Sequence, residues 1–124
     1  MVEIDGGDKQ SMHELQVAME IIEIVQKEMA ARQVSKIKTV GIRLGTMSGF
    51  DPEALRFSFE AATAETSMAG AELDIENVPV HCLCNDCGEE SVLDKFLFFC
   101  PKCGSPHLKV TDGDELKISY IEGE

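Results

Sequence analysis

Aromatic side chains are scarce in this chain of 124 residues, which has six Phe, one Tyr and no Trp. A hydrophobic core must therefore consist mainly of Ile, Leu, Val, Met and Ala. No continuous apolar segment approaches the length of about 20 residues that a membrane-spanning helix needs. The first eleven residues are acidic, contain glycine and have no apolar run typical of a secretory signal. We therefore expect a cytoplasmic protein with no membrane partner.

Basic residues are also few, because 11 Lys and Arg stand against 23 Asp and Glu, for a formal net charge of −12. Such a chain repels phosphate backbones, which argues against nucleic acid as a partner. Even the cysteine-rich segment from residue 80 to 110 has only three Lys against four acidic residues, so it has no basic face. Metal ions or a basic protein surface are better candidates.

The five cysteines are confined to residues 82–103, and four of them form two C-x-x-C pairs. The pairs lie in Cys84–Gly88 and Cys100–Gly104, and each is followed by a glycine. Two intervening residues let one tight turn point both sulfurs at a shared ion, and the glycine permits the positive φ that such a turn often needs. Two such knuckles form a closed tetrahedral site, which is typical of structural zinc. The predicted zinc ligands are Cys84, Cys87, Cys100 and Cys103.

The same four thiolates also suit iron, so a rubredoxin-like electron carrier is the alternative function. Cys82, which follows His81, is left over. It is interpreted as a buried thiol, with a replacement ligand or a reactive thiol as the functional alternative. We find no Ser/His/Asp or Cys/His arrangement and no phosphate-binding glycine loop, and we therefore expect that the protein is not an enzyme.

The spacing of apolar residues predicts an α+β fold. Residues 12–33 have the apolar spacing of a helix. Apolar and polar residues alternate, as in strands, over residues 36–45 and in the segments that begin at Leu73 and Leu116. Asp51 and Pro52 suit the N-cap and first position of a second helix. The prediction is two helices packed on a three-stranded mixed sheet, with an inserted zinc-ribbon lobe. The apolar face of the first helix is predicted to comprise Leu15, Met19, Ile22, Val25 and Met29.

The order of these segments resembles the HypA/HybF family of hydrogenase nickel incorporation proteins. The likeness covers about residues 12–122 and includes both knuckles. Its other parts are Met12–Leu15, Val40–Gly45, Ser48–Phe57, Gly70–Leu73 and Gly113–Leu116. The resemblance implies a nickel metallochaperone that binds Ni(II) as transient cargo and helps insert it into the [NiFe] hydrogenase large subunit. It also implies a nickel-handling GTPase as partner and, in some organisms, urease maturation proteins.

The resemblance places the nickel site at the Met-His-Glu segment. His13 is the principal ligand that it implies, with Met12 and Glu14 beside it, and Asp51 matches an acidic residue near that site. Imidazole suits Ni(II), and a terminal amine, the next backbone nitrogen and the His side chain can close fused chelate rings. From the residues alone, Glu14 is also explained by a capping box with Ser11, and Asp51 as an N-cap.

This chain departs from the family pattern because eleven residues precede Met12, whose nitrogen is therefore an amide. Either translation begins at Met12, or the extension is removed or artificial, or the nickel site uses backbone amides. The predicted division is a flexible N-terminal extension over 1–11, an α/β nickel-binding domain over 12–79 and 112–124, and a zinc-binding domain over 80–111.

Overall fold

In the computed structural model, which describes residues 2–3, 14–93 and 98–124, two helices accompany two β-sheets. The helices are α1 (Glu14–Arg32) and α2 (Pro52–Thr63). The strands are β1 (Val2–Glu3), β2 (Ile37–Gly45), β3 (Glu72–Val78), β4 (Val80–Cys84), β5 (Glu90–Leu93), β6 (Leu108–Asp112) and β7 (Leu116–Gly123). Neither helix is long and apolar enough to cross a membrane, as judged over the described residues.

The larger sheet has the strand order β1-β7-β2-β3, in which β3 is parallel to β2 and β7 is antiparallel to it. The smaller sheet has the order β5-β4-β6, and its three strands lie between β3 and β7 in the chain. The predicted α+β fold with an inserted lobe is thereby confirmed. The larger sheet has one strand more than predicted, because Val2 and Glu3 pair with β7 opposite Ile118 and Lys117.

The buried face of α1 differs in part from the predicted one. Ile22, Val25 and Met29 are buried as expected, whereas Leu15 is 49% exposed and Met19 is 58% exposed. The buried stripe also contains Val17, Ala18 and Ile21. At about 100° per residue, Met19 lies roughly 120° around the helix from Val25, which puts it outside this stripe. The prediction for Leu15 and Met19 was wrong. Two helical stripes on α1 share Ile22, Val25 and Met29, and the buried stripe continues through Val17, Ala18 and Ile21 rather than through Leu15 and Met19.

The second helix begins as the sequence predicts. Asp51 is its N-cap, with φ −82° and ψ 121°, and its carboxylate accepts a hydrogen bond from the Glu53 backbone N–H at 3.3 Å. Leu55 and Phe59 are buried in the core, and Ala62 packs against it. The helix thus buries this face against α1 and the larger sheet.

The outer face of the larger sheet carries an aromatic bridge across its three long strands. The Tyr120 ring on β7 lies over Gly41 on β2, in the space that a Cβ at Gly41 would occupy. The Tyr120 hydroxyl donates a hydrogen bond to the Asp74 carboxylate on β3, which raises the pKa of Tyr120. This arrangement requires glycine at position 41.

Gly41→Ala is therefore expected to destabilise the protein by about 1–3 kcal/mol, because the methyl group displaces the Tyr120 ring. Urea denaturation monitored by circular dichroism would measure this loss. In a Tyr120→Ala background the same substitution should be neutral or mildly stabilising, because Ala suits a strand interior better than Gly does. Equal destabilisation in both backgrounds would contradict the steric explanation.

The lobe made of β4, β5, β6 and their turns joins the larger sheet at two adjacent points. Pro79 leads into the lobe and Gly113 leads out of it, and a Cβ at Gly113 would clash with the Pro79 carbonyl. The Arg43 guanidinium on β2 binds the Asp112 carboxylate on β6 at 3.1 Å. Burial opposes ionisation of Asp112, but the Gly113 N–H and Arg43 hold the pKa of that carboxyl below its usual range.

Candidate metal centre

The four predicted zinc ligands converge at one end of the lobe. Their Sγ atoms all lie within 4.8 Å of one another, and the Cys84–Cys103 and Cys87–Cys100 Sγ pairs are each 3.6 Å apart. A tetrahedral ion with metal–sulfur bonds of about 2.3 Å requires sulfur separations of roughly 3.8 Å. All four thiols are free rather than joined in disulfides. The donor set therefore fits one tetrahedral metal ion.

Local backbone turns aim each pair of sulfurs. Gly88 N–H donates to the Cys84 carbonyl at 2.9 Å, and Gly104 N–H donates to the Cys100 carbonyl at 2.8 Å. Both glycines have φ of 76°, the left-handed region expected from the sequence. Backbone N–H groups also point at sulfur, since the Lys102 amide lies 3.4 Å from Cys100 Sγ. The knuckles are thus shaped by their own short segments.

Backbone amide groups and neighbouring sulfurs shift the pKa values of the cysteine thiols in opposite directions. Backbone amides, first that of Cys103, lower the pKa of the Cys100 thiol to about 7. The Glu89 amide lowers the pKa of Cys87, but desolvation and the neighbouring sulfurs outweigh it and raise this pKa to about 12. Four thiolates at these separations repel one another, so a cation is needed to keep all four ionised at neutral pH.

The site has no open position for a substrate, because all four ligands of a tetrahedral ion come from the protein. Such closed tetrathiolate sites are structural rather than catalytic. Cys82 lies on the same strand as Cys84 but is not a member of the group. It is buried, as predicted, and burial raises the pKa of its thiol.

A polar contact that the sequence analysis missed joins the two knuckles. Asp86 Oδ2, between the first two cysteines, accepts a hydrogen bond from Ser105 Oγ and lies 3.0 Å from His107 Nδ1. These contacts, first that of Ser105, lower the pKa of Asp86. The Asn85 N–H donates to the His107 carbonyl at 2.9 Å. We call Asp86, Ser105 and His107 the knuckle clasp. No sequence spacing pairs these residues, because they meet only once both knuckles have formed.

The residues implied as nickel ligands are described only in part. Met12 and His13 lie outside the described residues. Glu14 is the first residue of α1, and Asp51 caps α2. Within the described parts of the chain, the four cysteines are the only group of three or more His, Cys, Asp or Glu placed to hold a metal ion. The nickel ligand set therefore remains a prediction.

A family model described as "Hydrogenase/urease nickel incorporation, metallochaperone, hypA" matches residues 12–123. The chain belongs to the HypA family. A hydrogenase maturation factor HypA of Chloroflexus aurantiacus is 42% identical over 112 residues, which cover 90% of this chain and 98% of that protein. HypA of Roseiflexus sp. (strain RS-1) is 37% identical over 114 residues, which cover 91% of this chain and 93% of that protein.

Solved HypA structures share this fold. The solution structure of the Ni metallochaperone HypA from Helicobacter pylori superposes with a TM-score of 0.66 at 27% identity, covering 90% of this chain and 97% of that one. A second HypA solution structure superposes with a TM-score of 0.70 at 28% identity, covering 92% of this chain and 98% of that one. The resemblance to HypA is confirmed. Because the family consists of metallochaperones, the prediction that the protein is not an enzyme is also confirmed.

Proposed function

We propose that the protein binds Ni(II) as transient cargo and helps insert it into the large subunit of a [NiFe] hydrogenase. The observation that carries this proposal is the HypA match over residues 12–123, which includes the Met-His-Glu segment and both knuckles. In this proposal residues 12–79 and 112–124 form the nickel-binding domain, and 80–111 form the zinc-binding domain. Residues 1–11 are an extension outside the matched range.

The four-cysteine site is proposed to hold structural zinc. Zinc is redox-inactive and accepts four thiolates in tetrahedral geometry, which suits an ion whose role is to fold the lobe. Iron would fit the same sulfurs, and it would make the protein an electron carrier. Elemental analysis of the purified chain separates the two metals. The colour of the sample does so as well, since ferric tetrathiolate is red and the zinc form is colourless.

His13 is proposed as the principal nickel ligand, with Met12 and Glu14 beside it and Asp51 nearby. Neutral imidazole suits Ni(II), and a site with few protein ligands can release its ion to an acceptor. The proposed acceptor is the hydrogenase large subunit in the cytoplasm. A nickel-handling GTPase would drive delivery, because the chain has no phosphate-binding glycine loop of its own. Urease maturation proteins are the corresponding partners in organisms that use HypA for urease.

Nickel titration of the full chain beside a chain that starts at Met12 tests this proposal. We expect the full chain to bind nickel more weakly, with equal zinc content in both. A free amine, with a pKa of about 7.7–8.0, loses its proton far more easily than the Met12 amide of the full chain does. Isothermal titration calorimetry would measure both affinities.

N-terminal acetylation of the Met12-start chain is the matched control, because it blocks the amine without restoring residues 1–11. The acetylated chain should bind nickel as weakly as the full chain. Equal affinity for all three forms would show that the amine is dispensable and that backbone amides or side chains provide the site. Failure of all three forms to bind nickel would contradict the proposed cargo.

A further inference from the structure

We propose that the knuckle clasp of Asp86, Ser105 and His107 slows the release of the ion from the four-cysteine site. These are positioning residues, since they act on the metal through the cysteines that they hold together. The inference rests on the proposed zinc.

The clasp connects the knuckles without using any metal ligand. Asp86 belongs to the first knuckle, whereas Ser105 and His107 follow the second. An ionised carboxylate only accepts hydrogen bonds, so Ser105 Oγ–H and His107 Nδ1–H must both donate to Asp86 Oδ2. Ser105 Oγ in turn accepts from the His107 backbone N–H at 3.0 Å. The hydroxyl is thus used as donor and acceptor at once.

Release of a tetrahedral ion requires one pair of thiolates to detach while the other still holds the metal. If the knuckles then separate, the ion is lost. If they stay together, the detached thiolates remain at high effective concentration and rebind. The clasp bridges the knuckles at this step, because its hydrogen bonds do not depend on the metal–sulfur bonds. It should therefore lower the rate of release more than the rate of binding.

The charge of Asp86 is a second explanation for slow release, and a matched charge removal separates it from the clasp. A carboxylate attracts the departing divalent cation and is repelled more strongly by the thiolates left behind, so its charge alone also slows release. If Asp86 acted through charge alone, Asp86→Asn should speed release as much as Asp86→Ala does, and Glu89→Gln should speed it as well. If it acts through the clasp, Asp86→Asn should speed release less than Asp86→Ala does, since the amide keeps an acceptor oxygen but loses the charge-assisted bonds.

The experiment measures zinc release from the zinc-reconstituted full chain into an excess of a chromophoric chelator. Asp86→Ala is expected to release zinc roughly three- to tenfold faster, a modest effect because solvent competes with these exposed bonds. Asp86→Asn should fall between Asp86→Ala and the parent chain. Glu89→Gln removes the same charge from an exposed side chain beside the same knuckle and is the matched control. It should leave the rate unchanged.

Two further comparisons keep the test independent of folding defects. Asp86→Ala combined with Ser105→Ala should be no faster than Asp86→Ala alone, because both remove one shared contact. His107→Ala should accelerate release, and His107→Asn should restore part of the parent rate, since the Asn amide can replace the Nδ1 donor. Parent-like rates for Asp86→Ala, equal acceleration by Glu89→Gln, or additive effects would each overturn the clasp. The metal content of the chain as purified tests the zinc proposal separately, and failure of the parent chain to take up zinc would overturn both.

Discussion

Cys100→Ser is expected to remove the metal almost completely, from about one equivalent per chain, and to unfold the lobe while α1, α2 and the larger sheet persist. A serine hydroxyl does not replace a thiolate ligand at neutral pH. None of the residues of β4, β5 and β6 belongs to the main hydrophobic cluster, so that core does not support the lobe. Small lobes of this kind depend on their metal to fold.

Elemental analysis would measure the metal, and amide hydrogen exchange would locate the unfolded region. Cys82→Ser is the matched control, since Cys82 is a thiol buried on β4 but outside the four-sulfur group. It should keep the metal and the slow exchange of the lobe. Full metal content in Cys100→Ser, or loss of metal in Cys82→Ser, would contradict the assigned ligands.

His13→Ala is expected to weaken nickel binding by roughly a hundredfold or more in the chain that starts at Met12. Loss of a supporting residue outside the first coordination sphere already costs about 10- to 100-fold in metal affinity, so removal of a direct ligand should cost at least as much. Zinc content should not change, because the cysteine site lies in the lobe. Calorimetric titration and metal analysis on the same sample would measure both effects.

His81→Gln provides the comparison for this prediction, since it removes an imidazole that the HypA resemblance does not assign to nickel. Its nickel affinity should stay within a factor of about two of the parent value, the range of an ordinary surface change of up to 0.5 kcal/mol. Unchanged binding in His13→Ala would show that nickel binds elsewhere. Equal losses in both variants would indicate a site that includes both imidazoles.

The features predicted correctly from sequence are those that short segments determine. The knuckles depend on two cysteines and a glycine within five residues, and the start of α2 depends on Asp51 and Pro52. The α+β fold followed because the strand and helix periods differ clearly along the chain. In each case the residues that matter lie within a few positions of one another.

The features that sequence analysis missed depend on contacts between distant segments. Leu15 fits a helical stripe, but packing against α2 and the sheet selected a neighbouring stripe. Strand β1 has only two residues, too few to show alternation. The contact between Asp86 and His107 spans 21 positions and forms only where the two knuckles meet. Such pairings require the three-dimensional arrangement.

The adjacency of Pro79 and Gly113 has a further consequence for the entropy of the chain. The Thr46 N–H donates to the Val78 carbonyl and the Met47 N–H to the Gly113 carbonyl, both at 2.9 Å, so the turn after β2 holds both ends of the lobe. The lobe is therefore a loop inserted in the larger sheet, and the sheet fixes both of its ends. The entropic cost of closing a loop grows only slowly with its length, so an unfolded lobe destabilises the sheet little. The same geometry makes this junction a place where lobes of different length can be exchanged at small cost to the larger sheet and its helices.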